Sequence, residues 1–228
     1  MMMDWSPVLI SLKTATLSIC FTFILGVAAA WWVVSIRGNI VKTLLDALFT
    51  LPLVLPPTVA GFFLLAVFGV KTPIGEFFLD WFGIKIAFSW GSTVLAAVVM
   101  SFPLMYRSAR GAFEQVDPDL ISAGRTLGFS EWRIFCKVLL PVGLPGIVSG
   151  GILAFARGLG EFGATAMIAG NIKGRTRTLP VAVYSEVAAG NMDAAYDYVL
   201  VIVIIAVISI AAMDWVALRP KWRKNNDR

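Results

Sequence analysis

The chain has 228 residues, 58% of them hydrophobic and 14% charged, with a mean hydropathy of +0.82 and a formal net charge of +5. This composition excludes a soluble domain and leaves room for a single membrane domain over residues 1–228, with little outside it. Two cysteines and no histidine remove most nucleophilic and metal chemistry. Cys20 lies in an apolar run and Cys136 in a polar segment far along the chain, so neither a disulfide nor a metal site is expected.

Five apolar runs follow in order, roughly 8–36, 47–70, 86–106, 138–157 and 196–218. The first holds 23 uncharged residues between Lys13 and Arg37, enough to cross ~30 Å of hydrocarbon. It exceeds a signal-peptide core and ends in Trp31-Trp32 rather than small residues, so a cleaved leader is not expected. The second carries Leu51-Pro52-Leu53-Val54-Leu55-Pro56-Pro57, whose prolines remove amide donors near mid-span. Bare carbonyls are costly in lipid, so the break should face protein or a wet path. A pore kink and a bend tolerated by packing are the two readings. Residues 72–82, rich in aromatics, suit a helix lying at the outer interface.

With five spans the termini face opposite sides. If the N-terminus is outside, the inner segments 37–46, 107–137 and 219–228 hold 12 Lys and Arg, against 6 in the outer segments 71–85 and 157–195. The basic excess inside predicts N-out and C-in, with a basic tail from Arg219 facing anionic lipid. The +5 charge therefore reads as topology and not as nucleic-acid binding.

The polar stretch between the third and fourth runs, 107–137, is the most informative. Asp117 is an N-cap, Pro118 fits the first helical position, and Gly128 sits where a helix ends with positive φ. Ser130 then caps a second helix carrying Trp132, Phe135 and Val138 towards the membrane. Ser122-Ala123-Gly124, Gly128, Val138, Leu140 and Pro141 match the spacing Glu-Ala-Ala-x-x-x-Gly-x9-Ile-x-Leu-Pro. That pattern resembles the cytoplasmic signature of permease subunits of ATP-binding-cassette importers. Ser122 stands for the family's glutamate and Gly124 for an alanine. The resemblance implies that Asp117, Ser122, Ala123, Gly124, Arg125, Thr126, Leu127, Gly128, Leu140 and Pro141 form the ATPase-coupling site. An interfacial helix that merely joins two spans is the alternative.

From Val138 to Ile172 the chain is too long for one straight span. A bend around Gly158 and Gly160 is expected, followed by a shorter apolar arm. Arg157 and Glu161, four residues apart, share a helix face if the helix persists through the bend. Charges near membrane depth are either pathway residues or a structural pair at the outer interface. Beyond them, Lys173, Arg175 and Arg177 with Thr176 and Thr178 form an outer basic cluster, read as a solvated loop or as a landing zone for an anion or an acidic docking partner.

Residues 8–218 as a whole look like the molybdate branch of these permeases. This likeness rests on the Leu-Pro-Leu-Val-Leu-Pro-Pro run, Arg125-Thr126-Leu127-Gly128, Gly160-Glu161-Phe162-Gly163-Ala164-Thr165, Gly170-Asn171-Ile172 and Thr176 to Pro180. It implies an all-α, type I importer permease fold in the cell membrane, importing molybdate or, alternatively, tungstate or sulfate/thiosulfate. The translocation path would then involve Pro56, Pro57, Arg157, Glu161, Gly163 and Thr165. The implied partners are a second copy, two ATPase subunits inside and an oxyanion-binding protein outside. No cofactor is expected in this chain, since ATP and Mg would bind the partner ATPase. No nucleotide-binding loop or catalytic constellation occurs in the sequence, so it is not expected to be an enzyme. A secondary transporter would show intramembrane ion ligands on broken helices and would not need the coupling loop. A non-transporting scaffold leaves the mid-span prolines unexplained.

Overall fold

The computed structural model describes residues 4–36 and 38–226, with side chains as far as residue 211. Arg37 and the basic side chains from Arg219 onward, used in the topology count, lie outside the described residues. Eleven α-helices and one π-helical turn are present among the described residues, and no strand. The helices are α1 (Ser6–Ser35), α2 (Asn39–Val54), α3 (Pro57–Phe68), α4 (Pro73–Phe82), α5 (Trp90–Glu114), α6 (Pro118–Thr126), α7 (Glu131–Ile134), α8 (Leu140–Leu159), α9 (Gly163–Ile168), α10 (Leu179–Ala188) and α11 (Met192–Asn226).

Among the described residues, four helical stretches are long and apolar enough to cross a bilayer: Ser6–Ser35, Trp90–Glu114, Glu131–Leu159 and Met192–Ala211. The second predicted span departs from expectation. Instead of one kinked helix, it is two helices, α2 and α3, that meet at 111°. Nor does each proline break the ladder, because Pro52 is accommodated inside α2 and the break falls at Leu55-Pro56. Pro57 opens α3, where a missing N–H costs nothing.

The fourth predicted span also begins earlier than residue 138. α7 runs into a π-helical turn, Phe135–Leu139, and on into α8 as one 29-residue stretch. Pro141 supplies the cause. It has no N–H to offer the carbonyl of Lys137, and its ring would crowd that carbonyl, so the ladder widens to let Leu140 N–H reach Phe135 O.

α5 is the central helix, with 61% of its apolar window buried, whereas the window in α11 is 11% buried and suits lipid contact. α1 packs on α5 through small hydroxyl residues that allow close approach. Thr14 and Thr93 Oγ atoms lie 2.8 Å apart, and Thr22 and Ser101 Oγ atoms 3.0 Å apart. Lower down, Val33, Met105, Phe113, Phe135, Leu139 and Ile147 join α1, α5 and α8 in one core directly above the coupling segment.

Candidate coupling and translocation site

In the coupling segment, the Asp117 carboxylate accepts the backbone N–H of Asp119 at 2.9 Å, capping α6, and Pro118 occupies its first turn. At the other end, Gly128 has φ +75°. Phe129 N–H bonds Gly124 O and Gly128 N–H bonds Arg125 O, both at 3.0 Å. These two bonds form a Schellman closure, which satisfies carbonyls that the helix end would otherwise orphan. Ser130 Oγ then accepts Arg133 N–H at 3.3 Å and starts α7.

Gly124 is the one buried member of α6. A Cβ there would lie 3.2 Å from Ile134 Cγ1 and 3.9 Å from the Phe129 ring. Glycine in place of the family's alanine therefore lets α6 sit close on the start of the next span. Ser122, Ala123, Thr126 and Leu127 are exposed. Leu120 and Leu127 are 48% and 72% exposed, an apolar surface on an otherwise polar helix. Leu140 and Pro141 lie just past the π turn, at the root of α8.

Sequence reasoning missed a link across this turn. Arg125 Nε donates to Glu131 Oε1 at 2.8 Å, and Nη2 to Oε2 at 3.2 Å. The bidentate fork joins α6 to α7 and holds the Arg125 guanidinium still more firmly in its charged form, chiefly through the hydrogen bond to Glu131. The family's glutamate is absent at Ser122, but an acidic partner is present six residues after Arg125. Trp31 on α1 packs against Trp132 and Phe135, with ring centroids 5.6 and 4.7 Å apart. A cavity of about 530 Å³ opens between the end of α1 and α6–α7, walled by Trp31, Trp32, Ile121 and Ile134 with Arg125 and Glu131 at its edge.

The predicted pathway residues come together at the break of the second span. α8 ends at Leu159, and α9 starts at Gly163 after a three-residue bend. Glu161 lies in the bend and is 2% exposed. Its Oε1 accepts Ala164 N–H at 2.8 Å, and its Oε2 lies 2.6 Å from Arg157 Nη1. The latter contact is an ion pair not aligned as a hydrogen bond. Gly163 meets the start of α3: a Cβ there would stand 2.8 Å from Pro57 Cβ and 3.1 Å from Thr58 N. One turn on, a Cβ on Gly61 would stand 2.6 Å from Ala164 Cα. Pro57, Arg157, Glu161 and Gly163 thus form one contiguous group. Pro56 is exposed beside it, and Thr165 is buried on α9.

The outer basic cluster divides. Lys173 and Arg175 are exposed, but Arg177 is 6% exposed, which corrects its reading as part of a solvated loop. Its Nε donates to Asn171 Oδ1 at 3.0 Å and its Nη1 to Glu186 Oε1 at 3.2 Å. A buried guanidinium needs such partners. The acid that permits the burial comes from α10, which the sequence could not place.

A second missed group joins the middle of α2 to the C-terminal part of α5. Tyr106 Oη donates to Asp46 Oδ1, Arg110 Nη1 pairs with the same oxygen, and Arg110 Nε donates to Glu114 Oε1 at 2.8 Å. α2 has no buried residue. This network and the Phe49 ring, 5.2 Å from that of Tyr106, fasten it to the core.

Residues 22–222 match the model of the binding-protein-dependent transport system inner membrane component. The chain belongs to this family. It is 47% identical over 217 residues to the molybdenum transport system permease protein ModB of Escherichia coli strain K12, covering 94% of this chain and 93% of that protein. It is 42% identical to the putative molybdenum transport system permease protein YvgM of Bacillus subtilis, over 90% of each. Among solved structures, the inward-facing MetNI methionine transporter matches with a TM-score of 0.71 at 20% identity, over 92% of this chain and 93% of that one. A bacterial transporter importing the acidic polysaccharide alginate matches at 0.75 and 13%, over 94% and 78%. The family's fold, that of a type I importer permease, is therefore the fold of this chain.

Proposed function

We propose that this chain is the membrane-spanning subunit of an ATP-driven importer whose cargo is an oxyanion, molybdate first and tungstate next. The observation that carries the reading is the coupling segment. It is a short helix capped at both ends, locked to the following span by a Schellman turn and an Arg125–Glu131 fork, with Leu120 and Leu127 facing outward. Such a surface suits seating in a groove of a separate ATPase subunit, and Leu127 is its most exposed apolar contact. The likeness to molybdenum permeases supplies the cargo.

In this reading the chain is N-out and C-in, pairs with a second copy, and receives its anion from an external binding protein. ATP and Mg act on the ATPase. Closure of two ATPase subunits moves α6, and the rigid joint to α7 passes that movement into α8. α5 follows through the shared Phe113, Phe135, Leu139 and Ile147 core. The membrane halves then exchange inward- for outward-facing forms. The group around Pro57, Glu161 and Gly163 lies on the translocation path. A dianion needs polar, hydrated walls to cross and no tight site, since tight binding would prevent release.

Specificity is tested in proteoliposomes carrying the permease, its ATPase and its binding protein, with internal ATP and labelled molybdate outside. Excess tungstate should compete fully and sulfate weakly. Full competition by sulfate with no competition by tungstate would move the cargo to the sulfate branch.

A further inference from the structure

The geometry points to Glu161 as the positioning residue that ties the α3–α9 pair to the end of α8, so that the broken second span and the short arm move with the coupling helix as one unit. This rests on the transport reading above and adds the link between its drive and its path.

Three observations lead there. First, α9 and α3 are pressed together where side chains would forbid it, at Gly163 on Pro57 and at Gly61 on Ala164, so neither slides past the other without a clash. Second, α3 is cut from α2 by the 111° turn at Leu55-Pro56, and α9 is its firmest partner. Third, the covalent joint between α8 and α9, Gly160 to Phe162, is short and outside either helix, and its two ends are bridged by one side chain. Glu161 holds Ala164 N–H through Oε1 and Arg157 through Oε2. A carboxylate that is 1% exposed is costly to bury, and its ion-pair and backbone partners offset that cost when α8 and α9 keep this angle. Parting of the helices would strand the charge.

The hydrogen bond and the ion pair make different demands, and variants separate them. Glu161→Gln retains an acceptor for Ala164 N–H and loses the charge that holds Arg157. Exchanging the pair, Arg157→Glu with Glu161→Arg, restores an ion pair but removes the acceptor that α9 needs. Arg157→Gln approaches the link from its more exposed side and keeps the test open if position 161 tolerates no change.

The experiment uses the full complex in proteoliposomes, with Cys20 and Cys136 replaced by serine and a reporter Thr58→Cys beside Gly163. Molybdate uptake, ATP hydrolysis and maleimide labelling of the reporter with and without ATP are read per inserted permease. With Glu161 and Arg157 intact, labelling changes when ATP is added. In Glu161→Gln, Arg157→Gln and the exchanged pair, uptake should fall by about tenfold or more, hydrolysis should continue, and the ATP-dependent change in labelling should vanish. Recovery of uptake by the exchanged pair would overturn the proposal, since net neutrality would then suffice. So would loss of uptake with the labelling change preserved, or normal uptake in all three. If the intact complex shows no ATP-driven uptake, the transport reading itself has failed.

Discussion

Gly128 is the residue on which the coupling segment's shape depends. Its φ of +75° lies in the left-handed region, and a Cβ there would meet nothing within 4 Å, so the demand is conformational and not steric. Gly128→Val should therefore cost ~1–3 kcal/mol in backbone strain and loosen the angle between α6 and α7. The permease should still insert, while its ATPase association and uptake fall. Gly128→Asn, which tolerates that region, should retain most of both. Equal loss in the two variants, measured by co-purification and uptake, would place the cause elsewhere. The Arg125–Glu131 fork is exposed at both ends, so a double-mutant cycle should show only a weak coupling, weaker still at high salt. A strong coupling would mean the pair is buried by a partner.

At the scale of elements, α2 and α3 show what sequence could and could not supply. The run of prolines marked a break, and the break is there. Its angle was not legible, because it depends on α9 arriving from a hundred residues further on to meet Gly61. Likewise the caps of α6 were written locally, in Asp117, Pro118 and Gly128, and were readable. The partner of Arg125 was only six residues away but across a turn, and Asp46 finds Tyr106 and Arg110 sixty residues on. Periodicity carries no signal for such pairs. Two predictions belong here. Gly61→Leu should drive α3 off α9, since even its Cβ would sit 2.6 Å from Ala164 Cα. Overpacking of this kind typically costs ~1–3 kcal/mol, and reduced thermal stability with reduced uptake should follow. Tyr106→Phe removes one hydrogen bond and should cost ~1 kcal/mol. Asp46→Ala leaves Arg110 without its α2 partner and should cost more and free α2, read as faster proteolysis within it. Equal stability of the two variants would show that the Arg110 pair adds nothing to the hold on α2.

For the whole molecule, the fold class was legible from apolar run lengths, and the family from the spacing of a dozen residues around Gly128. The outer side was read less well, since Arg177 looked like part of a free charge cluster until Asn171 and Glu186 were seen around it. The proposed N-out, C-in orientation rests on the distribution of basic residues. Reporters at the exposed positions Trp81 and Ser122 should label from outside and from inside respectively, and the reverse would invert the topology and displace the coupling segment from the ATPase. The central claim is that a separate ATPase drives this chain through that segment. Its most direct test is the accumulation of labelled molybdate in proteoliposomes holding the permease and binding protein, with the partner ATPase supplied or withheld and ATP inside. Accumulation should require both ATPase and ATP, and should be lost when the ATPase cannot hydrolyse. Accumulation without the ATPase, driven by an imposed ion gradient, would contradict it.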